Sequence, residues 1–526
     1  DNMFEGPDSL ADIAAAIRLG CRTMQNVFNA DDDGVPFFRS LIEPETLLAH
    51  SEYHSESHVP GRHLNALLNA EDVLGISLDE QAVDNHRRAT LLSYSGPVAL
   101  PMNRHEVGGP LVNFCPHNLR EGFHALYALA KYRDDAEARE LAERSIADIG
   151  QLWSPDGGWD LPAIKDLGID YMDSRGFIQS EGRMLGPLVK YYRATGYAPA
   201  LELALALKEK AVDQFYLADG SFDQQRFDTS HSHSITCVLS SLAQLADLLG
   251  DGALMLQVMA FCEDGLWAIR DELGWSCEST VQEDSDHGEA NNSGDILETA
   301  LILGRWGFTE YYHDAERILR GHLLPSQVRD TSFIVDPPNP DGVDGLRDVA
   351  DRHLGSYGFP APYGHKSVGK GRGNLSFNMD IVGGTVASLC EAYREVVREE
   401  VTGHWVNMLF DHETDAVRVR SPYGGGGLTV EVLKVGPLFV RIPPWVDRAK
   451  LKVEGTGGLP TWSDDYLFIS QPTVRQPIRI NFPLEDQDLV LSERLHIRPI
   501  RVRMRGDVVV AMDNFAAELT FFDAYE

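Results

Sequence analysis

Cysteine is scarce in this chain, and the few cysteines are scattered. The 526 residues contain six, with no Cys-x-x-Cys pair among them: Cys21, Cys115, Cys237, Cys262, Cys277 and Cys390. Disulfide-stapled domains and zinc ribbons need closely spaced cysteines, so the sequence excludes both. Scattered cysteines are typical of a protein in a reducing compartment.

Long apolar runs are absent as well. No run approaches the roughly 18 residues that a membrane-spanning helix needs. The first residues, DNMFEGPDSL, contain neither the basic nor the apolar segment of a signal peptide. We therefore expect a cytoplasmic protein with no membrane partner. A signal peptide removed before Asp1 is also compatible with a chain that does not start with methionine.

Basic residues are outnumbered, with 46 Lys and Arg against 80 Asp and Glu and a net charge of −34. Such a surface repels phosphate backbones, so no nucleic-acid partner is expected. The glycines at 424–427 precede no Lys-Ser/Thr pair, so they are not a phosphate loop, and no cofactor is predicted. A homodimer is compatible with the sequence.

Helical periodicity dominates the first 400 residues. RMLGPLVKYYRATGYAPALELALALKEKAVDQFY, ITCVLSSLAQLADLLGDGALMLQVMAFCEDGLW and DILETALILGRWGFTEYYHDAERILRGHLL each predict two helices joined by a glycine-containing turn. The hairpin ends WSPDGGWD, YLADGSFD and WAIRDELGWS recur every 50 to 65 residues or so. About six hairpins would fill residues 1–400. An open solenoid is the alternative, but the long loops rich in His, Asp, Glu and Trp favour a closed (α/α)₆ barrel.

Alternating segments replace the helical period after Glu400. LTVEVLK, LFVRIPPW, YLFISQ and IRINFPL have period two between Gly, Pro and Asp turns, which is typical of antiparallel strands. The prediction is therefore a mainly helical protein with a β domain. An (α/α)₆ barrel spans residues 1–400 and an antiparallel β-sandwich spans residues 401–526.

One stretch, CESTVQEDSDHGEANNSGDILETA, concentrates seven carboxylates between Cys277 and Ala300. We expect a helix from about Ser293, with Asp295 in its first turn at the positive end of the helix dipole. Glu298 would be solvated or paired, and Glu283 and Asp284 would be loop surface. Glycosidic hydrolysis needs two carboxyl groups with separated pKa values.

Glu278 and Glu289 are the candidate pair. Trp275 would form an aromatic wall that raises the pKa of Glu278, the general acid. The helix start would keep Glu289 ionised.

Further polar clusters would line the same rim of a closed barrel. Imidazoles and carboxylates hydrogen-bond sugar hydroxyls, and an aromatic face packs on a sugar ring. The predicted substrate contacts are His58, His63, His117, Asp173, His231, His233, Trp275, Asp286, His287 and Asp380. His231 and His233 are two apart and do not share a helix face, so they are not expected to bind a metal.

The chain resembles a known family in three successive elements, GEANN, LETALILGRWGFTEYYHDAERILRGHLLPSQ and MDIVGGTVASLCEAY. Together with VNMLFDHETDAVRVRSPYGGGGLTVEV, these are similar to glycoside hydrolase family 127, the bacterial β-L-arabinofuranosidases. The resemblance is clearest from residue 270 to residue 490. It implies an (α/α)₆ barrel followed by β-sandwich modules, with Glu278 at the position of the acid/base glutamate.

The resemblance also implies a zinc ion, held by a Glu-x-Cys element and a Cys-Cys pair that supplies the nucleophile. Here the first element reads Glu289-Ala290-Asn291, and the pair falls near Ile381 and Val382. Without thiolates we expect neither the zinc nor a cysteine nucleophile. Asp380 is a candidate replacement nucleophile.

The sequence thus predicts an exo-acting glycoside hydrolase that acts on a carbohydrate without a metal. A sugar epimerase or isomerase with His231 or His233 as proton shuttle is the first alternative. A polysaccharide lyase with Arg62 or Arg175 as charge neutraliser is the second. A helical-repeat binding scaffold is the non-enzymatic alternative.

Overall fold

A computed structural model describes residues 12–281, 286–368 and 374–526. Glu283 and Asp284, predicted as loop surface, lie outside these residues. The helices are α1 Ile13–Met24, α2 Val59–Leu74, α3 Glu80–Ser93, α4 Leu119–Arg133, α5 Ala136–Leu152, α6 Leu161–Asp166, α7 Leu185–Thr195, α8 Ala198–Gln214, α9 Gln224–Phe227, α10 Ser232–Leu249, α11 Gly252–Glu263, α12 Ala290–Arg305, α13 Glu310–Ile318, α14 Val349–Arg352 and α15 Ile381–Val396.

Six of these helices form a closed inner ring. In order around the ring they are α2, α4, α7, α10, α12 and α15, and α15 packs back against α2. An outer helix accompanies each one: α3, α5, α8, α11, α13 and α1 in the same order. The predicted closed (α/α)₆ barrel is therefore confirmed. The hairpins α7–α8, α10–α11 and α12–α13 turn at the predicted glycines Gly196, Gly250 and Gly307, each with a positive φ.

The inner helices approach one another closely where glycine replaces larger residues. A Cβ atom on Gly61 of α2 would lie 1.7 Å from the carbonyl oxygen of Glu121 on α4. Gly186 of α7 and Gly294 of α12 would each place a Cβ atom 2.7 Å from a serine hydroxyl on the next inner helix. These contacts draw the inner ring together and leave little free volume inside it.

Short strands cross the loops at the helix ends. They are β1 Arg39–Leu41 with β2 Leu47–Ala49, β3 Met102–Arg104 with β4 Leu111–Phe114 and β7 Asp170–Tyr171, and β5 Trp153–Ser154 with β6 Gly158–Trp159. They fix the loops that surround the open end of the barrel.

Two five-stranded sheets follow α15. One has the order β10-β11-β12-β17-β14 and the other β15-β16-β13-β9-β8. Alternate apolar residues of both sheets, such as Val430 and Val440, lie in one core that is continuous with that of the barrel. The strands are β8 Val397–Glu400, β9 Gly403–Val406, β10 His412–Glu413, β11 Val417–Arg420, β12 Leu428–Val432, β13 Leu438–Arg441, β14 Lys452–Glu454, β15 Thr461–Ser463, β16 Tyr466–Ile469 and β17 Ile478–Asn481.

A further four-stranded sheet lies beyond the sandwich and has its own small core. Its strands are β18 Asp486–Val490, β19 Arg501–Arg505, β20 Val508–Met512 and β21 Asp523–Ala524. Its apolar residues pack with Leu273 and Tyr363 from the barrel loops. The sequence predicts this segment as part of the β-sandwich. Among the described residues, no helix is long and apolar enough to cross a membrane.

Candidate active site

The six inner helices all begin at the same end of the barrel, and a polar side chain stands at or just before each start. In ring order these are His58, Asn118, Arg183, His231, Glu289 and Asp380. The N-terminus of a helix carries partial positive charge and unpaired N–H groups. The site is therefore built from residues that are far apart in the sequence and share one structural position.

Arg62, one turn into α2, lies at the centre of this group and is 3% exposed. Its Nε atom is 3.3 Å from Asp380 Oδ2 and 3.1 Å from His58 Nε2. Its Nη2 atom donates to His233 Nε2 at 2.9 Å and lies 3.3 Å from Glu121 Oε1. The guanidinium thus links four of the six inner helices.

Glu121 is the fully buried anion of the site. Arg183 donates to its Oε1 at 2.7 Å, and Arg120 donates to the same atom at 3.1 Å. Burial by itself raises the pKa of a carboxyl group, but His58 and three arginines outweigh it and lower the pKa of Glu121 well below its usual value. Glu121 is therefore a permanent negative charge that fixes the arginines.

His233 and Asp295 form a second buried pair. His233 Nδ1 donates to Asp295 Oδ2 at 2.8 Å, and Thr236 donates to the same oxygen at 2.7 Å. The prediction for Asp295 was wrong in detail, because α12 begins at Ala290 and Asp295 lies in its second turn. Its role is to fix the tautomer of His233, so that the Nε2 lone pair accepts from Arg62.

Neutral imidazoles surround the opening. Burial, followed by neighbouring positive charges, lowers the pKa of His231 to about 3 and that of His117 well below its usual value. The His117 ring stacks on the His58 ring with centroids 5.8 Å apart, and it lies 5.4 Å from the His231 ring. His117 Nδ1 donates to the carbonyl oxygen of Gln179, which leaves Nε2 as its lone-pair nitrogen. The structure brings the three histidines together, and their contact with substrate stays a prediction.

Within the acidic stretch, residues 277–300, an isolated antiparallel bridge joins Cys277 to Gly288. Glu278 N donates to His287 O at 3.0 Å, and Glu289 N donates to Ser276 O at 3.2 Å. The backbone of Glu278 is also held from the other side, since Ser232 N donates to Glu278 O. Glu278 is half-buried at the opening, and the His287 ring stacks on Phe359.

Glu289 differs from its predicted state. It immediately precedes α12, but its carboxyl group accepts no hydrogen bond from the helix amides. Burial raises its pKa to about 8; Arg62 opposes this shift, and Glu278, Asp380 and Asp295 reinforce it. The expectation of an ionised Glu289 is therefore wrong, because desolvation and neighbouring carboxylates outweigh the dipole.

Asp380 is the ionised carboxylate at the opening. Its Oδ2 atom lies 3.0 Å from His58 Nε2. Burial raises its pKa, but the hydrogen bond from His58 and the charge of Arg62 prevail and lower it to about 2. His58 Nδ1 donates to Asn118 Oδ1 at 2.8 Å. His58 Nε2 therefore either donates to Asp380 or accepts from Arg62, and cannot do both.

Three predicted contacts lie elsewhere. Trp275 is 2% exposed and donates from its indole nitrogen to the carbonyl oxygen of Pro360, so it offers no face to a sugar. His63 is fully buried and bonded to the carbonyl oxygen of Met379. Asp286 accepts from the hydroxyl of Tyr363, beside the C-terminal sheet. The hydrogen bonds of these three residues connect the acidic stretch and α2 to neighbouring parts of the fold.

Asp173 is exposed on a loop and accepts from Arg175 N at 3.3 Å, so its contact with substrate stays a prediction. Glu298 lines a cavity inside the barrel, together with Lys190 and Asp295. The cavity volume is about 20 Å³, which is room for one water molecule. Glu298 is half-buried and burial raises its pKa to about 7, and its predicted solvated or paired role stays a prediction.

Sequence reasoning left Glu121, Arg183 and Asn291 out of the site and gave Arg62 only a minor part. Each is a polar residue just before an inner helix or in its first turns. In the sequence, the signal for these four residues was therefore a polar residue at the start of every second helix.

The chain matches no protein-family model and no curated protein in sequence. In structure it is similar to a family 127 β-L-arabinofuranosidase from Geobacillus stearothermophilus T6, with a TM-score of 0.56 and 14% identity over 94% of this chain and 80% of that chain. A second family 127 β-arabinofuranosidase has a TM-score of 0.58 and 13% identity over 96% and 81%. A third structure, a glycoside hydrolase, has a TM-score of 0.53 and 13% identity over 92% and 84%.

The chain has the fold of the family 127 glycoside hydrolases. The similarity spans the barrel and the sheets, and it confirms the predicted fold class and the resemblance to this family. The domain boundary near residue 400 stays a prediction, although the chain changes from helix to strand at Val397.

The zinc ion implied by the family resemblance does not fit the donors of this site. Asn291 stands where the first cysteine would be, and its amide lies 3.5 Å from Glu289 Oε1. Ile381 and Val382 are buried and have no donor atom. Cys390 lies further along α15, and burial raises its thiol pKa well above the usual value. In the described part of the chain, no three His, Cys, Asp or Glu side chains are arranged to hold a metal.

Proposed function

We propose that the chain is a glycoside hydrolase that removes a terminal sugar, with Glu289 and Asp380 as its two carboxyl groups. The observation that carries this proposal is the opposite state of two carboxyl groups at the starts of adjacent inner helices. Burial keeps Glu289 protonated near neutral pH, whereas Arg62 and His58 keep Asp380 ionised. Glycosidases need such a pair on either side of the scissile bond.

The step follows from these two states. Glu289 transfers its proton to the glycosidic oxygen as the bond from that oxygen to the anomeric carbon breaks. The electron pair of that bond leaves with the aglycone, and positive charge develops on the sugar ring. The negative charge of Asp380 stabilises that charge. Water then adds to the anomeric carbon and returns a proton to Glu289.

An exo mode of action is supported by the confinement of the site. Arg62, Asp380 and Glu289 are 3%, 5% and 7% exposed, so a long chain could not lie across them. Neutral imidazoles of His117 and His231 at the opening suit the hydroxyl groups of one terminal sugar. One structural neighbour is named as a β-L-arabinofuranosidase and another as a β-arabinofuranosidase, so we propose β-L-arabinofuranosides as the first substrate class.

Substitution of the two carboxyl groups tests the proposal. Glu289→Gln and Asp380→Asn should each lower kcat on p-nitrophenyl β-L-arabinofuranoside by roughly 10²- to 10⁴-fold. On phenyl β-L-arabinofuranoside, whose phenol is a poorer leaving group than p-nitrophenol, the loss of kcat should be larger for Glu289→Gln. The loss for Asp380→Asn should be the same on both substrates. Glu413→Gln, at a surface ion pair of the sandwich, is the matched control and should retain activity.

Glu278 is the alternative general acid, because it matches the acid/base glutamate of the family. Its half-buried carboxyl group belongs to the same electrostatic cluster as Glu289. If Glu278→Gln shows the leaving-group dependence and Glu289→Gln does not, the acid role passes to Glu278. If neither does, the carboxylate mechanism is wrong.

A sugar epimerase is the second candidate. The observation that favours it is the pair of neutral imidazoles at the opening, His117 and His231. With a pKa near 3, however, His231 is a weak base, and this favours hydrolysis. A product with the mass of its substrate would support epimerisation, whereas uptake of one water molecule supports hydrolysis.

A further inference from the structure

Four buried polar atoms around Arg62 have no hydrogen-bond partner. They are Arg62 Nη1, Glu289 Oε2, Asn291 Oδ1 and Asp380 Oδ1. A buried donor or acceptor without a partner costs about 1–3 kcal/mol of folding free energy. Four such atoms in one place therefore indicate a site that is built to bind a polar ligand. They comprise the guanidinium donor, one oxygen of the protonated Glu289 carboxyl group and two acceptor oxygens, on or next to α2, α12 and α15.

Gly384 provides the space for this arrangement. A Cβ atom at this position would lie 2.2 Å from Asn291 Oδ1 and 2.6 Å from Arg62 Nη1. Gly383, beside it, would place a Cβ atom 2.9 Å from the side chain of Arg62. The first turn of α15 therefore has no side chains where the guanidinium lies.

We propose that the guanidinium of Arg62 is the fixed cation of this site, in the place that zinc would take beside Glu289 and Asn291. The inference rests on the proposed function. Glu289 matches the glutamate of the zinc-binding element and Asn291 replaces its cysteine. Asn291 lies beside Arg62 in the gap left by Gly384, and the charge of Arg62 acts on the Glu289 carboxyl group.

Arg62 has a positioning role through Nε and a direct contact with the substrate through Nη1. Through Nε it orients Asp380 and holds it ionised. Through Nη2 it is itself held by His233, whose ring Asp295 fixes. Nη1 is then left to donate to an oxygen atom of the bound sugar. A guanidinium suits this role because it stays charged when buried and presents several donors in a fixed plane.

Metal binding can be tested without a substrate. Purified wild-type chain, incubated with zinc and then dialysed, should contain substoichiometric zinc, and neither zinc nor a chelator should change its Tm. Stoichiometric zinc with a Tm that the chelator lowers would overturn the proposal.

The Arg62 variants test the role itself. Arg62→Ala should lose roughly 10²- to 10³-fold in kcat/KM, as for removal of one preorganised electrostatic donor. Guanidinium ion should restore part of this activity and zinc should not. Arg62→Lys should retain more activity than Arg62→Ala. The acidic limb of its pH profile of kcat/KM should move to higher pH, because lysine stabilises the ionised form of Asp380 less than arginine does. Rescue by zinc, or an unmoved acidic limb, would contradict the proposal.

Gly384→Ala tests the position of the Arg62 guanidinium without changing any charge. Its methyl group should displace Arg62 Nη1, lower kcat and move the same acidic limb. Gly150→Ala, on the exposed side of α5 with open space around it, is the control and should change neither. Normal kcat and pH dependence in a folded Gly384→Ala variant would overturn the geometry.

The two proposals fail separately. If the wild type hydrolyses no glycoside but takes up no zinc, the proposed function is wrong and the metal-free site stands. If it hydrolyses arabinofuranosides only with bound zinc, the function stands and the role of Arg62 is wrong.

Discussion

Glu289 and Asp380 occupy equivalent positions, each just before an inner helix, but their environments differ. Asp380 receives His58 and Arg62 on one oxygen atom, whereas the Glu289 carboxyl group accepts a long hydrogen bond of 3.5 Å from the Asn291 side chain. Three other carboxyl groups also raise the pKa of Glu289. Neighbouring side chains, and not the helix start, decide which group keeps its proton.

Glu289→Gln should therefore stabilise the protein at neutral pH. A carboxyl group whose folded pKa is raised from 4.5 to about 8 costs stability progressively between these values, because the unfolded chain releases the proton first. The gain at pH 7 should be on the order of 3 kcal/mol. It should disappear near about pH 4, which urea unfolding at both pH values would measure. An equal gain at both would show that the effect is not ionisation.

The pH dependence of activity should follow the same group. Because the proposed acid must be protonated, kcat/KM should fall as the pH rises through about 8. The acidic limb should lie at very low pH, since the pKa of Asp380 is about 2. A basic limb centred near 5 would assign the proton to a carboxyl group in a more ordinary environment.

The predicted candidates that the structure brings together are those next to helix starts. His58, His231 and Glu289 could be found because a polar residue before an apolar helix is visible in one dimension. Trp275 could not be placed, because its partner Pro360 is 85 residues away. The role of Arg62 was hidden for the same reason, since His233 is 171 positions from it.

At the level of elements, the inner helices depend on glycines at their crossings. Gly61→Ala should destabilise the protein severely, since its Cβ atom would lie 1.7 Å from a backbone oxygen of α4. Gly150→Ala, in the outer helix α5, meets no atom within 4 Å and should stabilise by about 0.5–1 kcal/mol. Thermal unfolding of both variants would measure the contrast. Similar behaviour would mean that the inner ring has more room than its geometry indicates.

The hairpins could be predicted because apolar periodicity and turn glycines are local signals. The start of α12 was predicted three residues late, since Asn291, Asn292 and Ser293 look like capping residues. All three lie inside the helix, and Ser293 donates to the carbonyl oxygen of Gly274 instead. Polar residues in the first turn of a buried helix can form hydrogen bonds with the loops that pack on it.

At the scale of the whole molecule, the C-terminal sheet region is tied to the acidic stretch through one buried histidine. His496 Nε2 donates to Asp271 at 2.9 Å, and its Nδ1 atom lies 3.9 Å from Asp286. Burial lowers the pKa of His496, but these two carboxylates prevail and raise it to about 9. The contact is therefore an ion pair at neutral pH.

This ion pair should make stability depend on pH in the alkaline range. Its contribution, on the order of 3 kcal/mol, is complete below about pH 6.5 and is lost as the pH rises through about 9. Wild type should therefore lose more free energy of unfolding between pH 7 and pH 10 than His496→Gln does. Parallel curves for the two proteins would mean that His496 is neutral in the folded state.

The closure of the ring by α15 on α2 also has a consequence for synthesis on the ribosome. His58 and Asp380 are 322 positions apart. At about 5–20 residues per second, the first half of the site waits on the order of a minute or less before its last carboxylate is made. During that interval Arg62 has no Asp380 beside it, and the inner faces of α2 and α12 lack their shared neighbour. A nascent chain stalled before α15 should therefore be a good client for chaperones, and no amino-terminal fragment should acquire activity before α15 has been added.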